Sequence, residues 1–230
     1  MKAVFFDFDG TLTQNSPNIW KSMWKKCGCY MGGNSYFNAL YKQFISSEIS
    51  YQEWCDLTCE IFKRAKFSKK DLMELTNQVK LIGGVEETLK ALKQNGYHLF
   101  VVSGGFTSVI KTALGKNAKY FDGIMANSIK FDKNGIIESI KGTNYDFEGK
   151  AKFINEYKVA TKSNPKDLFF VGNGSNDEWT HLSGCSTICI NPDETDSLNG
   201  TKWHKSIEYT DNLTSILSCI LPQKNKEICK

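Results

Sequence analysis

Asp7 and Asp9 stand one residue apart at the end of a short apolar run, Val4-Phe5-Phe6, and are followed by Gly10 and Thr11. Nothing in a packed strand calls for two carboxylates; side by side they resist burial unless a cation or hydrogen bonds compensate them. Taken alone, the pair also fits an acidic β-turn closed by Gly10. Two further apolar runs end in comparable fashion. His98-Leu99-Phe100-Val101-Val102 leads into Ser103-Gly104-Gly105, and Leu168-Phe169-Phe170-Val171 leads into Gly172-Asn173-Gly174-Ser175-Asn176-Asp177. Lys150 follows Gly149 at the start of a helical pattern through Phe153, Ile154 and Tyr157. Together these supply carboxylates for a metal, a hydroxyl and glycine N–H groups for an oxyanion, and a fixed positive charge. Phosphoryl transfer needs that set, because its transition state spreads negative charge over oxygens that a cation and donors must neutralise.

For these groups to meet, three strand ends must share one edge. In an open α/β sheet that edge lies outside the carboxyl ends of the strands, where ligands bind. The pattern of elements supplies such a sheet. From Gly83-Gly84 onward, helical and buried-strand patterns alternate: a helix over Val85 to Gln94 ended by Gly96, the strand from His98, and a helix through Val109 and Leu114. A hairpin spans Ile129 to Ile140 around Asp132-Lys133-Asn134-Gly135. The Lys150 helix, the strand from Leu168, a strand Thr187-Ile188-Cys189-Ile190 and a closing helix from Leu213 to Leu221 complete the series. Such alternation implies a parallel sheet covered on both faces.

Between Thr13 and Lys80 the pattern is helical throughout. Trp20, Met23, Trp24 and Cys27 recur at helical spacing; after a break at Gly32-Gly33-Asn34, so do Phe37, Leu40, Tyr41 and Phe44, then Trp54, Leu57, Thr58 and Ile61. Ser68, with Asp71 three residues on, opens a fourth helix through Leu72, Leu75 and Val79. The predicted architecture is an α/β, doubly wound (Rossmann-like) parallel sheet core, residues 1–13 and 82–230, with an all-helical domain, residues 14–81, inserted after the first strand.

A chain of 230 residues, 40% hydrophobic and 23% charged, can bury a sizeable core and is not a disordered one. The net charge of +4 makes no case for nucleic acid but is compatible with a small anionic ligand. The apolar run cut short at Asp7 is too brief for a signal-peptide core, and no stretch approaches a membrane span. A cytoplasmic protein with no membrane or nucleic-acid partner, monomeric or homodimeric, is therefore expected. The eight cysteines include no C-x-x-C and read as free thiols rather than zinc ligands. Asn199-Gly200-Thr201 and Asn212-Leu213-Thr214 match the glycosylation pattern, which means nothing without a secretory route.

Asp7-Phe8-Asp9-Gly10-Thr11-Leu12-Thr13 resembles motif I of the haloacid dehalogenase superfamily. Val101-Val102-Ser103-Gly104-Gly105-Phe106 resembles its motif II in the form found in phosphoserine phosphatases. Lys150 resembles the motif III lysine, and Gly172-Asn173-Gly174-Ser175-Asn176-Asp177 resembles motif IV, usually GDGxND. The four occur in family order, and the helical segment falls where that branch carries its cap. The resemblance implies a magnesium-dependent phosphatase acting on a small phosphomonoester. Asp7 would be the nucleophile, forming an aspartyl-phosphate. Asp9 would protonate the leaving oxygen and then activate water. Mg2+ would be held by the Asp7 carboxylate, the Asp9 backbone carbonyl and motif IV, through Asn173 or Asp177. Thr11, Ser103, Gly104, Lys150 and Asn176 would serve the phosphoryl group, with Asn176 supporting the loop or Lys150, and Phe8 would point away.

Two departures bear on function. Asn173 stands where the motif carries a metal-ligating aspartate, so the ligand there is an uncharged amide. Ser16 stands where a glutamate would meet the substrate amine, and Thr58 where a cap arginine would meet its carboxylate; Arg64 is the sole arginine of the insert. The second departure argues against phosphoserine as substrate. The same chemistry allows a phosphotransferase, and the loss of the motif IV aspartate allows a non-catalytic phosphate binder, although a pure binder needs no nucleophile and acid pair. The Trp, Tyr and Phe residues of the insert fit a packed core first and a box for an aromatic or quaternary-ammonium leaving group second. Lys21, Lys25 and Lys26 fit a solvated helix face. His98, His181 and His204 lack partners for catalysis in the sequence, though Trp203-His204 could line a site mouth.

Overall fold

The computed structural model describes residues 1–14, 18–29, 35–192 and 202–221. The predicted break at Gly32-Gly33-Asn34, Ser16 and the Asn199 sequon lie outside them. The chain begins with β1 (Lys2–Phe6) and then forms four helices, α1 (Ile19–Lys26), α2 (Tyr36–Ile45), α3 (Tyr51–Arg64) and α4 (Lys69–Thr76). Each start has a chemical cause. Asn18 and Ser35 accept from backbone N–H groups of α1 and α2, and Ser50–Glu53 and Ser68–Asp71 form reciprocal capping boxes on α3 and α4. The chain leaves and re-enters the sheet domain through a paired neck. Gln14 N–H donates to Lys80 O at 2.9 Å, and Ile82 N–H donates to Leu12 O at 3.0 Å.

Beyond the neck run α5 (Val85–Gln94), β2 (Tyr97–Phe106), α6 (Thr107–Leu114), β3 (Gly123–Phe131), β4 (Ile137–Lys141), α7 (Glu148–Thr161), β5 (Leu168–Gly172), α8 (Ser175–Glu178), β6 (Ser186–Ile190), β7 (Lys205–Ile207) and α9 (Leu217–Ile220). The strands form one sheet in the order β4-β3-β2-β1-β5-β6-β7. Every neighbouring pair is parallel except the β3–β4 hairpin at one edge. This is a doubly wound α/β sheet with a helical insert after its first strand. Alternation along β1 shows why both faces need cover. Val4 and Phe6 join the apolar layer built with α5, α6 and the C-terminal turns, while Ala3 and Phe5 join the layer under α7. Phe5 stacks on Phe100 at 5.4 Å and meets Tyr157 of α7 edge-on at 5.4 Å.

Three local details go beyond the sequence pattern. Ser103-Gly104-Gly105 continues β2. Four steps of β2, Val102 to Phe106, span two of β3, Met125 to Asn127, so the glycines bulge out of register while staying extended. The expected closing helix from Leu213 to Leu221 is present as a 3-10 turn, Leu213–Ile216, opened by Asn212 accepting from Thr214 N–H and running into the single turn α9. The short strand β7 gave no apolar pattern because it is a three-residue, largely exposed edge. No described helix is long and apolar enough to cross a membrane.

A third apolar cluster joins the insert to the sheet domain. Trp24, Trp54, Phe62 and Phe67 of the insert pack with Phe106 and Val109, and with Ile137 and Ile140 of the hairpin. Gln52 fastens α3 to the end of β4, accepting from Gly142 N–H at 2.9 Å and donating to Ile140 O at 3.0 Å.

Candidate active site

The carboxyl ends of β1, β2 and β5 converge as the sequence predicts. A cavity of about 220 Å³ is lined by Asp7, Asp9, Ser103, Gly104, Asn173 and Asn176, among others. Behind Asp7 lies Lys150, which is fully buried. Lys150 Nζ donates to Asp7 Oδ1 at 2.9 Å and to Asp177 Oδ1, and lies 3.7 Å from Asp146 Oδ1. The position follows from the helix: Lys150 is in the first turn of α7, whose start is held by Phe147 in a positive-φ conformation (φ 48°) rare for a bulky residue.

Burial acts first on each charged group, and neighbours decide the balance. It pushes the Asp7 carboxyl up to about 8, against the attraction of Lys150 and with repulsion from Asp177 and Asp9. It pushes Asp9 up to about 6, opposed by Lys150 and by a backbone hydrogen bond from Ile19. For Lys150 burial works downward, but the carboxylates of Asp177, Asp7 and Asp146 outweigh it and hold the ammonium well above its ordinary range.

Asp177 does not line the cavity. Its Oδ2 accepts from Asn173 N–H at 2.9 Å and Gly174 N–H at 3.1 Å, while Oδ1 takes Lys150. Both oxygens are thus engaged in holding the loop and the lysine. Asn173 does line the cavity, and its side chain packs so closely on Gly10 that a Cβ there would collide with it; Gly10 also has a φ of 81°. Thr11 is buried beneath, its hydroxyl 3.5 Å from Asn173 Oδ1, a buttress rather than a cavity wall. Ser103 Oγ accepts from Gly105 N–H at 3.1 Å, which leaves its own proton to donate elsewhere. Phe8 faces the core, as expected.

Sequence reasoning missed Asp146. It lies in an irregular stretch before α7, with no periodicity to mark it. Its Oδ1 accepts from Asn176 Nδ2 at 2.7 Å, and its carboxylate presses on Gly104 where any side chain would collide. Trp20 was expected only as core. Its indole N–H donates to Gly104 O at 2.8 Å, and Asn127 Nδ2 donates to the same carbonyl at 2.7 Å, so the insert touches the motif II backbone directly.

The haloacid dehalogenase-like hydrolase family model matches residues 1–179. The chain belongs to that family. Among curated relatives it is 26% identical over 179 residues to a phosphoserine phosphatase of Archaeoglobus fulgidus, covering 76% of this chain and 48% of that one. It is 24% identical over 179 residues to the phosphoserine phosphatase of Methanocaldococcus jannaschii, covering 76% and 79% of the two chains. The chain thus matches about half the length of the first relative and about four fifths of the second. A solved structure, a phospho-aspartyl intermediate analogue of phosphoserine phosphatase, superposes with a TM-score of 0.72 at 22% identity, covering 95% of this chain and 98% of that one. At that identity the likeness speaks for the fold.

Among family members, magnesium dependence is general, and the donor chemistry here fits that ion. Among the described residues no three His, Cys, Asp or Glu side chains group as a metal-binding set. The oxygen donors that reach the cavity are instead the Asp7 carboxylate, Asp9 and the Asn173 amide. They are hard donors of the kind magnesium takes with water. Burial disfavours the Asp7 carboxylate, and a cation beside it would favour that charged form. His98, His181 and His204 lie outside this cavity. Thr58, at the position compared with a cap arginine, is buried in the insert with its hydroxyl unpartnered.

Proposed function

We propose that this chain is a magnesium-dependent phosphatase that hydrolyses a small phosphomonoester through an aspartyl-phosphate on Asp7. The observation that carries this is the meeting of Asp7, Asp9 and Ser103 in one cavity, with Lys150 Nζ 2.9 Å from Asp7. Asp7, Asp9 and Asn173 would hold the ion, Asp9 through its backbone carbonyl. When bound, the ion would supply positive charge to the phosphoryl oxygens. Asp177 is assigned a positioning role through Lys150 and the Asn173–Gly174 backbone.

The Asp7 carboxylate attacks phosphorus, and the bond from phosphorus to the alcohol oxygen breaks. Asp9, raised to about 6, gives its proton to that oxygen. Asp9, now a carboxylate, takes a proton from water; the water oxygen attacks phosphorus and the bond to Asp7 breaks. Lys150 stays protonated throughout and stabilises the developing charge, with the Ser103 hydroxyl donating from the other side.

Phosphoserine should not be a preferred substrate. No arginine lines the cavity among the described residues, and Thr58 is turned into the insert. The test is phosphate release from a panel of phosphomonoesters with magnesium, alongside radiolabel transfer from substrate to protein. Turnover with transient label on wild type, and neither on Asp7→Asn, is the expected result. Turnover without any protein label would overturn the covalent route.

A further inference from the structure

The catalytic cavity opens directly into a second one of about 470 Å³, the size of a small-ligand pocket. Both share Asn18, Trp20, Lys21, Asp146, Gly174 and Asn176 as walls, so a phosphoryl group in the first would place its alcohol in the second. The far wall belongs to the helical insert. Phe37, Tyr41, Phe44, Tyr51 and Trp54 line it, with Trp20 at the junction. The insert's aromatic residues therefore divide. Trp24, Phe62 and Phe67 are fully buried packing, whereas Tyr41 is exposed, Phe44 and Tyr51 are half-buried, and all three line this cavity.

Ring geometry selects among occupants of an aromatic pocket. A quaternary ammonium needs open ring faces. Here ring faces are engaged with one another: Tyr51 stacks on Trp54 at 5.9 Å and Phe37 on Tyr41 at 5.8 Å. The two charged walls carry opposite signs, Asp146, which accepts from Asn176 and lies 3.7 Å from Lys150, and the exposed Lys21.

We propose that the substrate's alcohol carries a planar aromatic ring seated against this aromatic wall. This rests on the phosphatase reading above and names its substrate class. Ring edges of the wall offer the edge-on contacts that aromatic pairs favour.

Two measurements test it. The first compares kcat/KM for benzyl phosphate, glycerol phosphate and choline phosphate on wild type and on Tyr41→Ala, which changes a residue exposed enough to be replaced without loss of fold. The expected order is benzyl well above glycerol, with choline lowest. The benzyl-to-glycerol ratio should fall by about tenfold in the variant, the size of effect that one apolar pocket contact produces. The second measures binding of benzylphosphonate and methylphosphonate by calorimetry, with no hydrolysis required. Benzylphosphonate should bind about tenfold or more tightly than methylphosphonate, and Tyr41→Ala should narrow the gap. Equal binding of the two phosphonates, or a preference for choline or glycerol phosphate, overturns the aromatic substrate while leaving a phosphatase. Absence of hydrolysis for every ester overturns the phosphatase reading, and the phosphonate pair still decides the pocket.

Discussion

Asp9 and Asn173 are the residues at which single-atom changes say most. Asp9→Asn should slow turnover by roughly 10²–10⁴-fold, the range for losing general acid–base help. The loss should shrink for nitrophenyl phosphate, whose leaving oxygen needs no proton; equal losses for good and poor leaving groups would refute the acid role. At Asn173 the issue is charge. An amide in place of a carboxylate removes one negative charge from the proposed metal site, while the Lys150 ammonium remains nearby. Asn173→Asp should therefore tighten magnesium binding in a calorimetric titration and lower the magnesium midpoint of activity. Asp177→Asn acts differently, because both its oxygens are already engaged. It should cost stability in a denaturant titration as well as activity, since removing one partner of a buried pair typically costs about 3–5 kcal/mol. A tighter metal site with Asp177→Asn, or no effect of Asn173→Asp on binding, would reverse these assignments.

The elements explain what was legible in the sequence and what was not. β1, β2 and β5 read clearly because a strand buried on both faces is a continuous apolar run, and a run that stops at Asp7, Ser103 or Gly172 announces its own functional end. The four helices of the insert read clearly from period and caps, Ser68 with Asp71 above all. Asp146 did not, because its role depends on the irregular turn before α7, where neither period nor motif applies. Nor did the Ser103–Gly105 bulge, which is a register difference between two strands and has no signature in either alone. Trp20 read as core because its ring is buried; its indole bond to Gly104 is a tertiary fact. The helix α3 carries a prediction of its own. It buries Trp54, Cys55, Thr58, Cys59 and Phe62 in the insert, and Thr58 cannot serve a substrate carboxylate from there. L-phosphoserine should consequently show a kcat/KM no higher than the other small esters of a panel, because no bidentate arginine–carboxylate contact orients it. A clear preference for phosphoserine would show that another group, not α3, reads the carboxylate.

At the scale of the whole molecule, insert and sheet domain share a core. Phe62 and Trp24 of the insert meet edge-on at 5.2 Å, within the cluster that also holds Phe106, Val109, Ile137 and Ile140. The α3–hairpin hydrogen bonds of Gln52 and the Trp20–Gly104 bond add directional ties. The sheet side closes this cluster with Phe106, Val109, Ile137 and Ile140, which separation would expose, so the two parts should unfold together. Three of the five tryptophans, Trp20, Trp24 and Trp54, lie in the insert, so tryptophan fluorescence reports chiefly on it while far-ultraviolet circular dichroism reports on the whole chain. The two denaturation curves should coincide. Phe62→Ala removes a fully buried ring and should lower stability by about 3–5 kcal/mol, moving both curves by the same amount. An insert that melts at lower denaturant than the sheet, with Phe62→Ala shifting the fluorescence curve alone, would make it an independent unit hinged at the neck. The activity of the variant separates the two pictures further: with a shared core, the fraction of active enzyme should follow the fraction folded at every denaturant concentration, whereas an independent insert would let activity fail first.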